Sequence, residues 1–124
     1  MNILLDSDIV IEVLRGTDRS LLVKWSALME SKDEILISPL TAAMVWPGVC
    51  PQEHAAISRF FRPLTCASID YKIGHLAGEF LRQYGESHGV ELTDALMAAT
   101  AVQNQAALWT QNRNRYPMAE LTLY

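Results

Sequence analysis

Cysteine is scarce: Cys50 and Cys66 are the only two in 124 residues. They form neither a CxxC pair nor a disulfide framework, so the sequence predicts two small buried hydrophobes in a reducing compartment. Histidine is scarce too. His54, His75 and His88 show no HExxH spacing and no cysteine at zinc-site distance, which argues against a zinc centre. There is no cationic surplus either: 10 Lys and Arg stand against 14 Asp and Glu, a net charge of −4. Such a balance does not suit a duplex-DNA binder that grips through a broad basic surface, although it leaves room for an enzyme that meets nucleic acid through a bound cation. No apolar run approaches the roughly 20 residues of a membrane helix, because Asp6, Asp8 and Glu12 interrupt the greasiest stretch. A basic leader and a small-residue cleavage site are not visible at the N-terminus, so the expectation is a cytoplasmic protein without a membrane partner. Repeats, low-complexity tracts, a P-loop, a nucleophile elbow and a dinucleotide fingerprint are all missing.

What the chain does have is apolar material, 50% of its residues. That suffices for one domain over residues 1–124, with about two-thirds of the unfolded surface buried. Asn2-Ile3-Leu4-Leu5 is a continuous apolar run, the pattern of a strand covered on both faces. Asp6-Ser7-Asp8 can cap a helix carrying Ile9, Val10, Val13 and Leu14, with Gly16 as its stop. A second helix starts near Asp18 or Arg19, with Leu22, Trp25, Leu28 and Met29 on one stripe. Ile35 to Ile37 is the next strand. Thr41 is read as the cap of a third helix that Pro47 should kink or end early. A short helix over Glu53–Phe61 follows, then a weak strand over Leu64–Ile69. Asp70 opens the clearest helix, with Ile73, Leu76, Ala77, Phe80, Leu81 and Tyr84 in helical rhythm and Gly89 as its end. Thr93-Asp94 begins a helix to about Asn104, Ala106–Trp109 forms a strand, and Leu121–Leu123 an edge strand. Alternating strands and helices predict an α/β fold with a mainly parallel sheet.

In open parallel sheets, ligands bind beyond the carboxyl ends of the strands. Asp6, Ser38, Thr110 and Asn112 follow three such ends, and Asp94 joins them if its helix starts on the same edge. No basic residue neighbours Asp6 or Asp94 in sequence, so a hard divalent cation is the natural partner for the two acids. Mg²⁺ needs only one or two protein carboxylates beside water and phosphate oxygens.

This arrangement resembles the PIN-domain family, in particular its VapC-type toxin ribonucleases. Leu4-Leu5-Asp6-Ser7-Asp8-Ile9-Val10-Ile11 is similar to the family's opening strand and turn, and Leu14-Arg15-Gly16 to the end of its first helix. Ile37-Ser38-Pro39-Leu40-Thr41 resembles the second strand and its turn. The most specific stretch is Ser87 to Ala101, which contains Leu92-Thr93-Asp94-Ala95-Leu96. Leu108-Trp109-Thr110-Gln111-Asn112, followed by Tyr116-Pro117, resembles the segment with the last polar site residues. The resemblance implies a three-layer α/β/α PIN-like fold and a metal-dependent endoribonuclease. Asp6 and Asp94 would be catalytic and would bind Mg²⁺ (or Mn²⁺), with Asp8 as a further ligand and Thr110 and Asn112 positioning water or an acid. It also implies an RNA substrate, a homodimer and a cognate antitoxin protein.

One position departs from the family. Three residues after Thr41, where the family carries a glutamate, this chain has Met44. That departure motivates a second expectation, a PIN-fold module with weakened or lost catalysis that binds RNA or a protein. A third is a metal-dependent DNA nuclease, since no residue announces a contact with a 2′-hydroxyl. Simpler roles stand beside the sharper ones. Asp6 and Asp94 sit where acids cap helices or meet the helix dipole, and Asp8 is either a cap or a ligand. Glu12 is expected in solvent or paired with an arginine. Thr110 and Asn112 also suit an ordinary turn, and Arg113 and Arg115 contact RNA phosphates or keep a loop soluble. Phe60 and Phe61 are read as core or dimer-interface residues ahead of a base-stacking platform.

Overall fold

The structure, a computed structural model, describes residues 1–124. Five parallel strands form one sheet in the order β3-β2-β1-β4-β5. These are β1 (Asn2–Leu5), β2 (Glu34–Ile37), β3 (Thr65–Cys66), β4 (Ala106–Trp109) and β5 (Thr122–Leu123). Six α-helices accompany them: α1 (Ser7–Arg15), α2 (Arg19–Glu30), α3 (Pro39–Val45), α4 (His54–Phe61), α5 (Tyr71–His88) and α6 (Leu92–Gln103).

Strand alternation builds two cores, one on each face of the sheet. Ile3 and Leu5 of β1, Ile35 and Ile37 of β2, and Ala107 and Trp109 of β4 point into a cluster with Ile9, Val10, Leu21 and Leu28 of α1 and α2. Leu4, Leu36 and Leu108, one step out of phase, join Ile73, Ala77 and Phe80 of α5 and the Ala95–Ala101 segment of α6. Helices on both faces leave β1, at the sheet's centre, buried from Ile3 to Leu5. The expected three-layer α/β/α arrangement is present, and its sheet is wholly parallel. No helix is long and apolar enough to cross a membrane.

Most helix ends follow their sequence signals. Asp6, Asp18 and Asp70 accept backbone N–H bonds at the starts of α1, α2 and α5. Gly16 and Gly89 close α1 and α5 with φ of 72° and 67°, the left-handed geometry glycine adopts without strain. Pro47 ends α3 as expected: the α-helix stops at Val45 and tightens into a 3₁₀ turn over Trp46–Gly48.

Several expectations are corrected. Ser38, not Thr41, caps α3, because its hydroxyl accepts the Leu40 N–H and Pro39 supplies a preset first turn. Thr41 lies inside the helix, fully buried. Helix α6 starts at Leu92 after Glu91, one position earlier than read. The strand expected over Leu64–Ile69 shrinks to Thr65–Cys66 at the sheet's edge. Both cysteines are exposed, since Cys50 lies between two 3₁₀ turns and Cys66 on that edge strand. On α2 the buried residues are Leu21 and Leu28, while Met29 is exposed. The reading of Phe60 and Phe61 as packing residues needs no such correction: Phe60 stacks on Trp25 at 5.6 Å and Phe61 on Trp46 at 6.5 Å, against the α1–α2 core.

Candidate active site

The carboxyl ends of β1 and β4 lie side by side, with Leu5 in register with Trp109. The residues that follow, Asp6 and Thr110, therefore meet at one rim of the sheet. Each oxygen of Asp6 has protein donors. Oδ1 accepts the Ser7 N–H at 2.7 Å, which starts α1. Oδ2 accepts the Thr110 hydroxyl and the Tyr116 hydroxyl, both at 2.8 Å. Asp6 is only 7% exposed, so an ionised carboxylate is tolerated there because it is so thoroughly hydrogen-bonded.

Asp8 stands one step outward. Its Oδ2 accepts the Gln111 N–H and the Asn112 side-chain amide, each at 2.9 Å. Thr110 holds its hydroxyl 3.4 Å from the same oxygen, but its single proton goes to the closer Asp6. Asp8 Oδ1 is buried and has no hydrogen-bond partner. Burial, and after it the charge of Asp6, pushes the Asp8 carboxyl above its ordinary value; the backbone N–H groups of Gln111 and Ile9 and the nearby Thr110 hydroxyl pull the other way. Burial of the phenol, followed by the charge of Asp6, likewise raises Tyr116, which keeps its proton and donates it.

Asp94 approaches from the start of α6. Its Oδ2 turns back to the Glu91 N–H at 3.1 Å, and its Oδ1 lies 3.7 Å from a guanidinium nitrogen of Arg115. The helix-end role and the cleft role coexist, because one oxygen serves each. Asp6, Asp8 and Asp94 line one cleft of about 80 Å³ with Ser7, Leu40, Met44, Thr93, Met97, Asn112, Arg115 and Tyr116. The three acids surround this space without converging into a ready-made cage of three ligands. An orphaned buried oxygen beside two further carboxylates suits a hard divalent ion that keeps water or substrate oxygens as its other ligands.

The sequence reading named Asp6, Asp8, Asp94, Thr110 and Asn112, and the fold brings them together. Asn112 lines the cleft and reaches Asp8 with its side chain. One contributor, Tyr116, was missed as a site residue. Tyr116 was placed only in the segment that resembles the family's last polar site region, with no role of its own, although an aromatic hydroxyl six residues past Thr110 was the available signal. Arg115, expected to contact RNA phosphates or keep a loop soluble, lines the cleft, and its pairing with Asp94 is too distant in sequence to have shown. Arg113 turns away, to the Tyr124 carbonyl at 3.2 Å. Glu12 pairs with Arg15 at 2.9 Å and does not line the cleft. Ser38 is committed to its cap.

Holding Asp8 charged in this environment is costly to the fold. Asp8→Asn is therefore expected to raise the Tm of the chelator-treated protein at pH 7, by removing repulsion and charge burial. The sign follows from the raised carboxyl. Its penalty is complete above the folded-state value and fades as pH falls toward the ordinary 3.8, so thermal melts should show the gap closing in acid.

The PIN domain model matches residues 3–121 of this sequence. The chain belongs to the PIN-domain family. It is 33% identical over 116 residues to Ribonuclease VapC19 of Mycobacterium tuberculosis, covering 93% of this chain and 92% of that protein. With Ribonuclease VapC10 of the same organism it shares 30% over 119 residues, covering 95% and 88%. Among solved structures, a chain of VapBC-1 from nontypeable Haemophilus influenzae superposes with a TM-score of 0.82 at 18% identity, covering 100% of this chain and 97% of that one. A chain of the toxin–antitoxin complex from Klebsiella pneumoniae gives 0.74 at 21% identity, covering 96% and 94%.

Proposed function

We propose that this protein is a metal-dependent endoribonuclease, the toxin of a toxin–antitoxin pair, which hydrolyses RNA phosphodiester bonds in the cytoplasm. The observation that carries the reading is the meeting of Asp6 and Asp8 with Asp94, far along the chain from both, around one cleft at the carboxyl edge of the sheet. Support comes from the two mycobacterial relatives, which are ribonucleases. The Klebsiella assembly supports an antitoxin partner. A homodimer and a single PIN domain over residues 1–124 complete the proposal.

In this reading Asp6 and Asp94 hold Mg²⁺ or Mn²⁺, with Asp8 offering its unpartnered Oδ1. When bound, such an ion supplies an activated water and neutralises charge on the transferring phosphoryl group. Thr110 fixes Asp6 through its hydroxyl, and Asn112 fixes Asp8. The Arg115 guanidinium, at the rim beside Asp94 and more than half exposed, has further donors to meet a backbone phosphate, a contact that favours arginine's fork.

The deciding experiment is cleavage of a structured RNA and of a matched DNA by the purified protein in Mg²⁺, in Mn²⁺ and in excess EDTA, beside Asp94→Asn. The proposal expects RNA cleavage that EDTA abolishes and that Asp94→Asn lowers by more than about a hundredfold, since even residues behind the ligands cost about 10–100-fold. Undiminished cleavage by the variant sinks the assignment. Preference for the DNA moves it to the DNA-nuclease reading.

One observation favours a second reading. Met44 lines the cleft at the place where the family resemblance calls for a glutamate, and its thioether is a poor ligand for a hard cation. A PIN-fold module with weakened or lost catalysis, acting by binding RNA or protein, predicts no metal binding at millimolar concentration.

A further inference from the structure

We infer that Tyr116 stands in for part of a cation at Asp6, keeping the carboxylate satisfied without metal and restraining the affinity of the loaded site. This rests on the reading above that Asp6 is a metal ligand. A carboxylate oxygen has two lone pairs, and Oδ2 of Asp6 gives one to Thr110 and the other to Tyr116, both at 2.8 Å.

The phenol is held more firmly than a surface donor. Its ring is packed in the α5–α6 core with Leu4, Phe80, Met97 and Met118. Its backbone N–H closes a turn onto the Arg113 carbonyl at 3.1 Å, so the hydroxyl reaches Asp6 from a fixed direction. The same side chain borders the cleft shared by Asp8 and Asp94.

Two effects oppose each other when this hydroxyl is removed. Asp6 loses an orienting contact, and it also loses a competitor for its negative charge. Orientation survives, because the Ser7 N–H holds Oδ1 at 2.7 Å while Thr110 still holds Oδ2. Two donors on different oxygens fix the plane of the group. Competition therefore dominates, and the freed lone pair makes Asp6 a better ligand. Without metal, the same vacancy leaves a buried charged acceptor short of one bond.

The test is Tyr116→Phe, which keeps the ring in the core and removes only the oxygen. Titration calorimetry with MnCl₂ is compared with the unchanged protein, together with thermal melts in EDTA. The expected result is Mn²⁺ binding about three- to tenfold tighter. The metal-free Tm should fall by roughly 5 °C. A purely structural phenol would lower the Tm and leave the Mn²⁺ affinity unchanged, which overturns the inference. Weaker binding overturns it as well, by showing that orientation dominates, and so does the absence of Mn²⁺ binding by both proteins. Asp6→Asn in the same titration separates this from failure of the metal assignment: if that variant binds Mn²⁺ as well as the unchanged protein, the ion sits elsewhere and the assignment itself has failed.

Discussion

Asp6→Asn is expected to lower RNA cleavage by more than about a hundredfold while the protein stays folded, with a Tm lower by roughly 4 °C. The two effects have different origins. The amide keeps the shape of the carboxylate but offers one acceptor oxygen in place of two. Either the Ser7 N–H or the Thr110–Tyr116 pair must then lose its acceptor. Loss of the Ser7 bond removes the cap of α1, a change worth about 1 kcal/mol. Nothing in that loss would impair catalysis, because α1 is also held by Ile9 and Val10 in the core. The activity loss follows from the missing charge: a neutral amide is a far poorer partner for a hard cation. Parallel measurement of cleavage rate and melting temperature therefore separates the capping role from the ligand role. A variant that melts early but cleaves normally would show Asp6 to be a cap alone.

The architecture was legible because β1, β2 and β4 are short, apolar except for Asn2 and Glu34 at the first positions of β1 and β2, and followed by polar residues, while α5 carries an unbroken helical stripe from Ile73 to Tyr84. Physical signals were weaker where correction was needed. Thr41 and Ser38 are both capping residues, and only Pro39, preset for a first helical position, distinguishes them. Thr65–Cys66 pairs with β2 at the edge through two register positions, too few to impose a pattern on side chains. The cysteines misled because exposure is set by the path of the chain between elements, which composition does not encode. At the site, Asp6, Asp94 and Thr110 were visible because each sits at a strand or helix end, where parallel sheets gather polar groups. The role of Tyr116 and the pairing of Arg115 were not, since their partners Asp6 and Asp94 lie distant in sequence and across the sheet rim. Asp6 and Asp94 invited either a capping or a ligand reading, and the geometry shows why those were never exclusive: a carboxylate has two oxygens.

Met44→Glu is expected to tighten Mg²⁺ or Mn²⁺ binding by roughly tenfold or more. The residue borders the cleft with Asp6, Asp8 and Asp94, and it is 45% exposed. That exposure matters twice. A glutamate there stays solvated, so the fold tolerates it, and methionine and glutamate have nearly equal helix propensity. A fourth negative charge nonetheless repels the three already present, and Asp8 already feels Asp6. Without metal the variant should therefore melt a few degrees lower, roughly 2–4 °C. Saturating ion should reverse the order, because binding to the folded state alone adds stability in proportion to the logarithm of ligand over Kd. The comparison also divides the two functional readings. If the unchanged protein binds Mn²⁺ and cleaves RNA, Met44→Glu improves a working nuclease and its rate rises most at low metal concentration. If the unchanged protein binds none at millimolar Mn²⁺ and the substitution creates both binding and cleavage, the chain is a binding module whose catalytic frame survived the loss of one carboxylate. Calorimetry on the two proteins at the same pH, with cleavage measured across a metal titration, decides between them.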